Sequence, residues 1–371
     1  MGDKLKLSRI EISGYKSISS AFPLRLHFGD VNILLGANGA GKSNIVSFFK
    51  MLSYMMSGSF QKYVAQSGTN QTFLHYGSKV TSAIRAEVEF GNETSRDIYK
   101  FSLTHAASNR LIINSEEIEW KDTTKSDKPF CLEVKSNFNE SGLLQSNDNM
   151  IYNIVRRLLS TCKVYQFSDS SMTAPMRQAS TVDAAQYLQS EANNLASFLF
   201  FVKNNYSDAY NRIVDYVRNV MPQFGDFYLE PERGYISLKW TDNSPNDYVF
   251  SSEQFSDGSI RFIALATLLL QPEETMPKVI VIDEPELGLH PYAIDVLAEM
   301  IKDASLHAQI IVATQSPLLI DNFEMSDIMV VEREGEHTIA RNMDNDTYCE
   351  WLNDYSISEL WGKNVIGGRP E

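Results

Sequence analysis

The chain has 371 residues, of which 43% are hydrophobic and 22% are charged, and its formal net charge at pH 7 is −14. This length and composition are typical of a globular protein with one large or two ordinary domains. The acidic balance disfavours a protein that binds mainly nucleic acid, because such proteins usually carry a basic surface.

The first predicted elements are two strands and a helix. Residues 5–18 alternate between apolar and polar side chains, which predicts a strand that ends in a turn at Gly14. The nearly continuous apolar run Val31–Leu35 is typical of a strand buried on both faces. Apolar residues at helical spacing from Ile45 onward predict a helix that begins after Gly41.

The middle of the chain changes from strand patterns to helical ones. Residues 83–135 contain several alternating segments, which predict an antiparallel β layer. Residues 184–220 carry two apolar stripes at helical spacing, the first of which begins at Leu188. These stripes predict a short helical insertion of two or three helices.

The last predicted unit is a β-α-β crossover. Buried strands are predicted at residues 279–282 and 310–313, with a helix at residues 290–302 between them. Such an alternation implies parallel strands joined by a helix. The sequence therefore predicts an α/β fold that has a mostly parallel core sheet, an antiparallel β layer and a short helical insertion.

The first functional motif is a glycine-rich segment. It lies between the strand at 31–35 and the helix that follows. It reads GANGAGKS and matches the pattern GxxxxGK[ST] in full. Backbone N–H groups in such a loop, together with the helix N-terminus, attract phosphate. Lys42 is predicted to reach the β- and γ-phosphates, and Ser43 to bind Mg²⁺. The predicted phosphate-binding residues are Gly36, Ala37, Asn38, Gly39, Ala40, Gly41, Lys42, Ser43 and Asn44.

A pair of carboxylates at a strand end is the second signal. Four apolar residues run directly into Asp283 and Glu284. Asp283 is predicted to hold Mg²⁺, and Glu284 is predicted to polarise the attacking water as a general base. Together with the phosphate-binding loop, the pair predicts an ATPase with ATP and Mg²⁺ as cofactors.

The third signal is the sequence FSDGS at residues 255–259, followed by an apolar helical pattern. Taken alone, it indicates only a helix N-terminus capped by Ser or Asp. However, the segments GANGAGKS, SDG and IDEPELGLHP follow one another along the chain. In this order of motifs the chain resembles ABC-type ATPases of the SMC and RecF-like branch. It is most similar to the small AAA_21-like ATPases of bacterial defence operons. The terminal segments LSRIEISGYKSI and YSISELWGKNVIGGRP resemble this group too, so the likeness covers nearly the whole chain.

The resemblance implies a nucleotide site that is completed by a second copy of the chain. Ser256 and Gly258 match the signature motif, which in the family contacts the γ-phosphate bound by the other subunit. Two ATP molecules are then enclosed in a head-to-tail dimer. Residues 287–290 match the D-loop, which touches the partner site in the family.

The resemblance also implies a glutamine that assists the metal site, the Q-loop glutamine. Gln166, at the end of a strand-like segment, is the candidate for this role. Gln61, Gln66 and Gln71 remain open as alternatives.

Two positions depart from the common family pattern. Asp257 stands in the signature where many ABC ATPases have glycine, so that a carboxylate comes near a polyphosphate unless it turns away or caps the helix. Gln315 stands where many members have a switch histidine. Its amide can donate a hydrogen bond to the γ-phosphate but carries no positive charge, which predicts slow turnover.

Two further features bear on the location of the protein. Cys131, Cys162 and Cys349 are widely spaced and odd in number, which argues against a disulfide framework and a zinc site. The longest apolar run, residues 262–270, is about half the length that a membrane span requires. We therefore expect a cytoplasmic protein without a membrane partner.

The predicted organisation is a discontinuous ATPase domain at residues 1–175 and 223–343, a helical insertion at 176–222 and a C-terminal segment at 344–371 that docks on the ATPase domain. The predicted function is a Mg²⁺-dependent ATPase that dimerises on ATP and regulates an effector, such as a nuclease encoded nearby, in anti-phage defence. Two alternatives are a DNA repair or recombination ATPase that binds DNA, and a slow nucleotide-sensing scaffold.

Overall fold

The protein is a mixed α/β molecule, seen in a computed structural model that describes residues 5–122, 124, 129–135, 138–145 and 149–369. The chain divides into two compact units. The first unit contains Met1–Lys163 and Glu324–Glu371, and the second contains Val164–Phe323. The predicted domain boundaries stay a prediction.

The strands are numbered along the chain. They are β1 Lys6–Ser13, β2 Leu24–His27, β3 Val31–Leu35, β4 Ala83–Gly91, β5 Ser95–Ala106, β6 Arg110–Asp122, β7 Phe130–Glu133, β8 Cys162–Tyr165, β9 Ser180–Thr181, β10 Phe224–Tyr228, β11 Tyr235–Ile236, β12 Lys239–Asp242, β13 Val249–Ser251, β14 Val279–Asp283, β15 Gln309–Thr314, β16 Ile328–Glu334 and β17 His337–Asn342.

The α-helices are numbered in the same way. They are α1 Lys42–Met56, α2 Phe60–Gln66, α3 Met150–Ser160, α4 Leu195–Asn205, α5 Ser207–Val220, α6 Asp257–Leu269, α7 Pro291–Ser305, α8 Pro317–Ile320, α9 Asn345–Leu352 and α10 Ile357–Gly362. Among the residues that the structure describes, none of the helices has both the length and the apolar content that a membrane crossing requires.

The first unit is built on an antiparallel sheet of six strands in the order β2-β1-β4-β5-β6-β7. Its strands alternate buried and exposed residues because one face of such a sheet packs on the core. The predicted antiparallel layer is thereby confirmed. In the same unit β3 pairs in parallel with β16, and β16 forms an antiparallel hairpin with β17. The apolar stripe of α1 is buried as predicted, and it anchors the helix that follows the glycine-rich loop.

The second unit contains the predicted β-α-β crossover. Strands β14 and β15 are parallel, with Asp283 opposite Ala313, and α7 connects them. Both strands are almost entirely buried, as continuous apolar runs in parallel sheets usually are. This unit also contains a small antiparallel sheet of β10, β12 and β13 and the pair β9–β11.

The prediction of a helix through Leu188 was wrong, because the first helix of this region begins only at Leu195. The preceding residues form an irregular turn that the side chain of Asn194 organises. Its amide donates to the carbonyls of Ala184 and Tyr187, and its oxygen accepts the N–H of Gln189. Asn side chains often compete with helical hydrogen bonds in this way, and apolar spacing alone cannot reveal it.

Candidate functional site

The glycine-rich loop connects β3 to α1 in the first unit. Gly41 is the N-cap of α1 and has a left-handed backbone with φ of 115°, and a Cβ at this position would overlap the side chain of Thr338. The first turn of α1 carries Lys42, Ser43 and Asn44. The N-terminus of a helix bears partial positive charge. The loop therefore fits an anionic phosphate chain.

Lys42 is buried inside this loop. Its ammonium group donates to the carbonyl oxygens of Gly36, at 2.5 Å, and Ala37, at 3.1 Å. Only 5% of the residue is exposed. Phosphate oxygens are stronger acceptors for an ammonium group than neutral carbonyls, so they can replace these partners.

A chain of three polar side chains supports the loop from the side of β17. The hydroxyl of Thr338 donates to the carbonyl of Ala40 at 2.9 Å. The hydroxyls of Thr338 and Ser17 lie 2.7 Å apart, and the amide of Asn44 donates to Ser17 at 2.7 Å. Sequence reasoning missed Thr338 and Ser17. Ser17 lies in the segment GYKSI, whereas nothing in the sequence around Thr338 marks it.

The carboxylate pair lies in the second unit, where β14 and β15 end side by side. The backbone N–H of Glu284 donates to the carbonyl of Ala313 at 2.8 Å. Glu284 has φ of 45°, a left-handed backbone that is uncommon for residues other than glycine and costs about 1–3 kcal/mol. Strain of this kind is concentrated at functional positions, and here it turns the chain directly after Asp283.

Two glutamine side chains approach the carboxylates. The amide of Gln166 donates to a carboxylate oxygen of Asp283 at 3.4 Å, and the amide of Gln315 donates to Glu284 at 3.4 Å. Hydrogen bonds of this length are weak, so either amide can change partner at small cost. The structure thus brings the predicted Q-loop residue to Asp283 and the predicted switch residue to Glu284.

The alternative Q-loop residues have other environments. The amide of Gln61 donates to the carbonyls of Leu111 and Asn139, and the amide of Gln71 donates to the side chain of Asn70. Gln66 is exposed at the end of α2. The Q-loop assignment stays a prediction, and these contacts favour Gln166.

Glu286 connects the end of β14 to the loop after β15. Its carboxylate accepts the hydroxyl of Thr314 at 2.5 Å, and the same hydroxyl accepts the backbone N–H of Ser316 at 2.9 Å. Gln315 lies between these two anchored residues. Burial raises the pKa of Glu286, and the nearby charge of Glu284 raises it further.

The raised pKa of Glu286 predicts a stability effect that depends on pH. Folding favours the protonated carboxyl group, so its stabilising contribution is complete below the ordinary pKa of 4.5 and is lost as the pH rises through the pKa of the folded protein. Glu286→Gln cannot ionise. Its free energy of unfolding relative to the parent chain should therefore increase as the pH rises from 4.5 through the raised pKa of Glu286. Urea unfolding at several pH values measures this difference, and a difference independent of pH would contradict the prediction.

The signature segment forms the start of α6. Ser256 is the N-cap, and its hydroxyl accepts the backbone N–H of Ser259 at 3.1 Å. Gly258 lies so close to the D-loop segment that a Cβ would come within 2.5 Å of the carbonyl oxygen of Gly288. Ser256 is exposed, so its surroundings leave it open to solvent or to another molecule.

Asp257 is balanced by an arginine that sequence reasoning missed. The guanidinium of Arg177 donates to its carboxylate at 3.1 Å, and that arginine side chain is only 2% exposed. The same guanidinium also donates to the carbonyls of Ser170, Ser252 and Phe255. Asp257 moreover lies in the first turn of α6, where the helix dipole favours a negative charge. The carboxylate therefore has a structural partner within its own unit.

Arg261 joins the signature helix to two other segments of the second unit. Its guanidinium donates to the carbonyls of Phe167 at 2.8 Å, Ser168 at 2.9 Å and Leu287. The first two follow Gln166, and Leu287 belongs to the D-loop segment. Burial lowers the pKa of Arg261. Arg261 is the single charged residue in the buried apolar stretch 260–269 of this helix, a signal that could have identified it.

Residues 31–321 match the model of a protein family that is described as "AAA domain, putative AbiEii toxin, Type IV TA system". The chain belongs to this family. The matched region contains the glycine-rich loop, the segment FSDGS and the carboxylate pair. No match was found among curated proteins.

This AAA-family chain is also similar to solved SMC head domains. An SmcHead bound to the C-winged helix domain of ScpA has a TM-score of 0.64 and 15% identity. The match covers 92% of this chain and 99% of the SmcHead chain. The SMC head domain from Thermotoga maritima has a TM-score of 0.51 and 15% identity, with 91% and 99% covered. An Smc head with an extended coiled coil, bound to the C-terminal domain of ScpA and derived from Pyrococcus furiosus, has a TM-score of 0.60 and 13% identity, with 95% and 99% covered. These likenesses concern the fold.

The family match confirms the predicted likeness to the AAA_21-like ATPases, and the chain has the fold of SMC head domains, as the predicted SMC and RecF-like relationship implies. The predicted fold class is also confirmed, since the molecule combines parallel and antiparallel strands with helices. Membership of an AAA family supports nucleotide binding as the general activity. The roles of individual site residues stay predictions.

Proposed function

We propose that this AAA-family chain binds ATP with Mg²⁺, hydrolyses it slowly and uses the change of state to control a partner. The observation that carries the proposal is the loop between β3 and α1, in which Lys42 is buried beside the first N–H groups of a helix. That arrangement suits a polyphosphate better than any other common ligand, because it joins a fixed cation to the positive end of a helix dipole.

The predicted metal ligands have the chemistry that Mg²⁺ prefers. Ser43 and Asp283 offer oxygen ligands, which Mg²⁺ prefers, and Gln166 beside Asp283 can add an amide oxygen. When bound, Mg²⁺ neutralises charge on the β- and γ-phosphates. Glu284 accepts a proton from the attacking water, and Gln315 orients its carboxylate through the amide contact.

Replacing Lys42 with methionine tests the binding part of the proposal. We expect ATP binding to weaken by about 10- to 100-fold, because a hydrogen bond to a charged group contributes about 1.5–3 kcal/mol. Titration calorimetry measures the affinity. Lys62→Met is the matched control, since Lys62 is exposed on α2 of the same unit. Equal affinities in both variants would refute the assignment of Lys42.

We further propose that two copies associate head to tail around two ATP molecules. The exposed N-terminus of α6, with Ser256 and Gly258, is the surface that would meet the nucleotide of the other copy. Its backbone is held by Arg177, so the surface is ordered before association. An ordered surface loses less conformational entropy on binding than a mobile one.

Light scattering tests the association directly. A Glu284→Gln variant in ATP and Mg²⁺ should form dimers, whereas adding Ser256→Arg should leave monomers that still bind ATP. Glu299→Arg, at an exposed position of α7, is the control for an added arginine. Dimers that persist with Ser256→Arg would exclude this surface.

The proposed partner is an effector protein, such as a nuclease encoded nearby, and the proposed setting is anti-phage defence in the cytoplasm. The family description names a type IV toxin–antitoxin system, which favours a protein that works with a paired partner. Two of the similar SMC heads were solved in complex with ScpA domains, which also favours a protein partner. Co-purification from the native host identifies it, and recovery of the chain alone would count against the proposal.

A slow nucleotide sensor is the second candidate, favoured by Gln315 in place of the switch histidine. Steady-state turnover separates a sensor from an ATPase whose chemistry drives the switch. A DNA repair role remains the third, and it predicts DNA binding that falls steeply with salt concentration. Binding that does not depend on salt would exclude it.

A further inference from the structure

The C-terminal turn of the chain meets the start of the phosphate-binding loop. After α10 the chain reverses through Gly367 and Gly368, whose φ angles are 79° and 76°. The carbonyl oxygen of Gly368 accepts the backbone N–H of Ala37 at 3.0 Å. All of these residues belong to the first unit. The last described residues of the chain are therefore bonded to the glycine-rich loop.

This hydrogen bond acts on the same peptide group that holds Lys42. The carbonyl of Gly36 and the N–H of Ala37 belong to one planar trans peptide, so they point in opposite directions. On one side the N–H donates to Gly368, and on the other the carbonyl accepts the ammonium group of Lys42 at 2.5 Å. Whatever fixes the N–H also fixes the direction of the carbonyl.

The position of Gly368 is itself fixed by strands β16 and β17. Its N–H donates to the carboxylate of Glu332 at 3.0 Å, and the other oxygen of that carboxylate accepts the guanidinium of Arg341 at 2.6 Å. A Cβ on Gly368 would come within 2.7 Å of the Val330 side chain and 3.8 Å of the Cα of Gly36. The turn is thus fitted between the hairpin and the loop, with no space for a side chain.

We propose that Gly368 is a positioning residue for the phosphate-binding loop. Its carbonyl holds the peptide between Gly36 and Ala37 so that Lys42 is seated where a phosphate chain is received. The inference rests on the proposed binding of ATP and adds a part of the chain that lies more than 300 residues from the loop in sequence. ATP affinity then depends on the C-terminal turn.

Gly368→Ala tests the proposal, with Gly335→Ala as the matched control. Both glycines have a positive φ, but a Cβ at Gly335 would lie in open space. We expect Gly368→Ala to weaken ATP binding by about tenfold and to speed amide hydrogen exchange at Ala37 by a similar factor, as loss of one hydrogen bond implies. Gly335→Ala should change neither quantity, although its backbone strain is comparable.

A second variant keeps the test valid if Gly368→Ala folds poorly. Glu332→Gln weakens the bond to the Gly368 N–H without adding bulk, and it should produce a smaller change of the same sign in both measurements. Parent-like ATP affinity in both variants, or weaker binding with unchanged exchange at Ala37, would overturn the inference. If the parent chain binds no ATP, the proposed function fails. Exchange at Ala37 then still decides whether the turn holds the peptide.

Discussion

Replacing Glu284 with glutamine is expected to lower ATP turnover by about 100- to 10,000-fold while ATP binding persists, which is the usual contribution of a general base. The amide keeps the size of the side chain and its place after β14, but it cannot accept the proton of the attacking water. Phosphate release at steady state measures turnover, and calorimetry measures binding. The variant should also accumulate the ATP-bound dimer, because ATP hydrolysis, which ends the ATP-bound state, is slowed.

The control for this experiment is Glu299→Gln, which removes the same charge from an exposed position of α7 in the same unit. It should turn over ATP at the parent rate. If Glu284→Gln also hydrolysed ATP at the parent rate, the assignment of Glu284 as the base would be wrong. Gln and Glu have similar backbone strain at the left-handed φ of residue 284. A difference in turnover between the parent chain and Glu284→Gln therefore reflects the lost carboxylate.

Replacing Arg261 with methionine is expected to lower the free energy of unfolding by about 3 kcal/mol, because a buried acceptor left without a donor costs about 1–3 kcal/mol and the two partly buried acceptors add to that loss. Methionine keeps much of the apolar stem, so the change isolates the guanidinium. The carbonyls of Phe167, Ser168 and Leu287 would lose its hydrogen bonds. Urea unfolding measures the loss. ATP turnover should fall too, since the segment after Gln166 and the D-loop segment would no longer be joined.

Arg212→Met is the matched control for that experiment. Arg212 is about half exposed and pairs with Asp303 at 3.3 Å. Exposed ion pairs contribute at most about 1 kcal/mol, so this variant should unfold almost like the parent chain. Similar losses for the two variants would show that burial of the Arg261 hydrogen bonds is not the source of the effect.

Much of the site could be read from the sequence because its chemistry is local. The loop from Gly36 to Ser43 needs glycines at fixed spacing and a lysine at a helix start, so its residues are contiguous. The strand that ends at Asp283 needs a continuous apolar run. Neither pattern depends on residues that are distant in sequence. The strands and the helix around them lie where they were predicted.

Other parts could not be read because their partners are distant in sequence. Arg177 bonds to residues 75 to 80 positions later, and Thr338 bonds to Ala40 across 298 positions. The helix predicted through Leu188 failed for a different reason, which is local. Its apolar spacing was correct, but the side chain of Asn194 captured the backbone groups that a helix would have used.

The sequence by itself determined that this chain has a glycine-rich loop between a strand and a helix, a carboxylate pair at a strand end and an α/β fold, because each depends on neighbouring residues. Only the tertiary structure decided how these parts are held. It paired Asp257 with Arg177, brought Gln166 to Asp283 and seated Gly368 against Ala37. The physical reason is that a hydrogen bond depends on distance and direction in space, and the spacing of residues along a chain records neither.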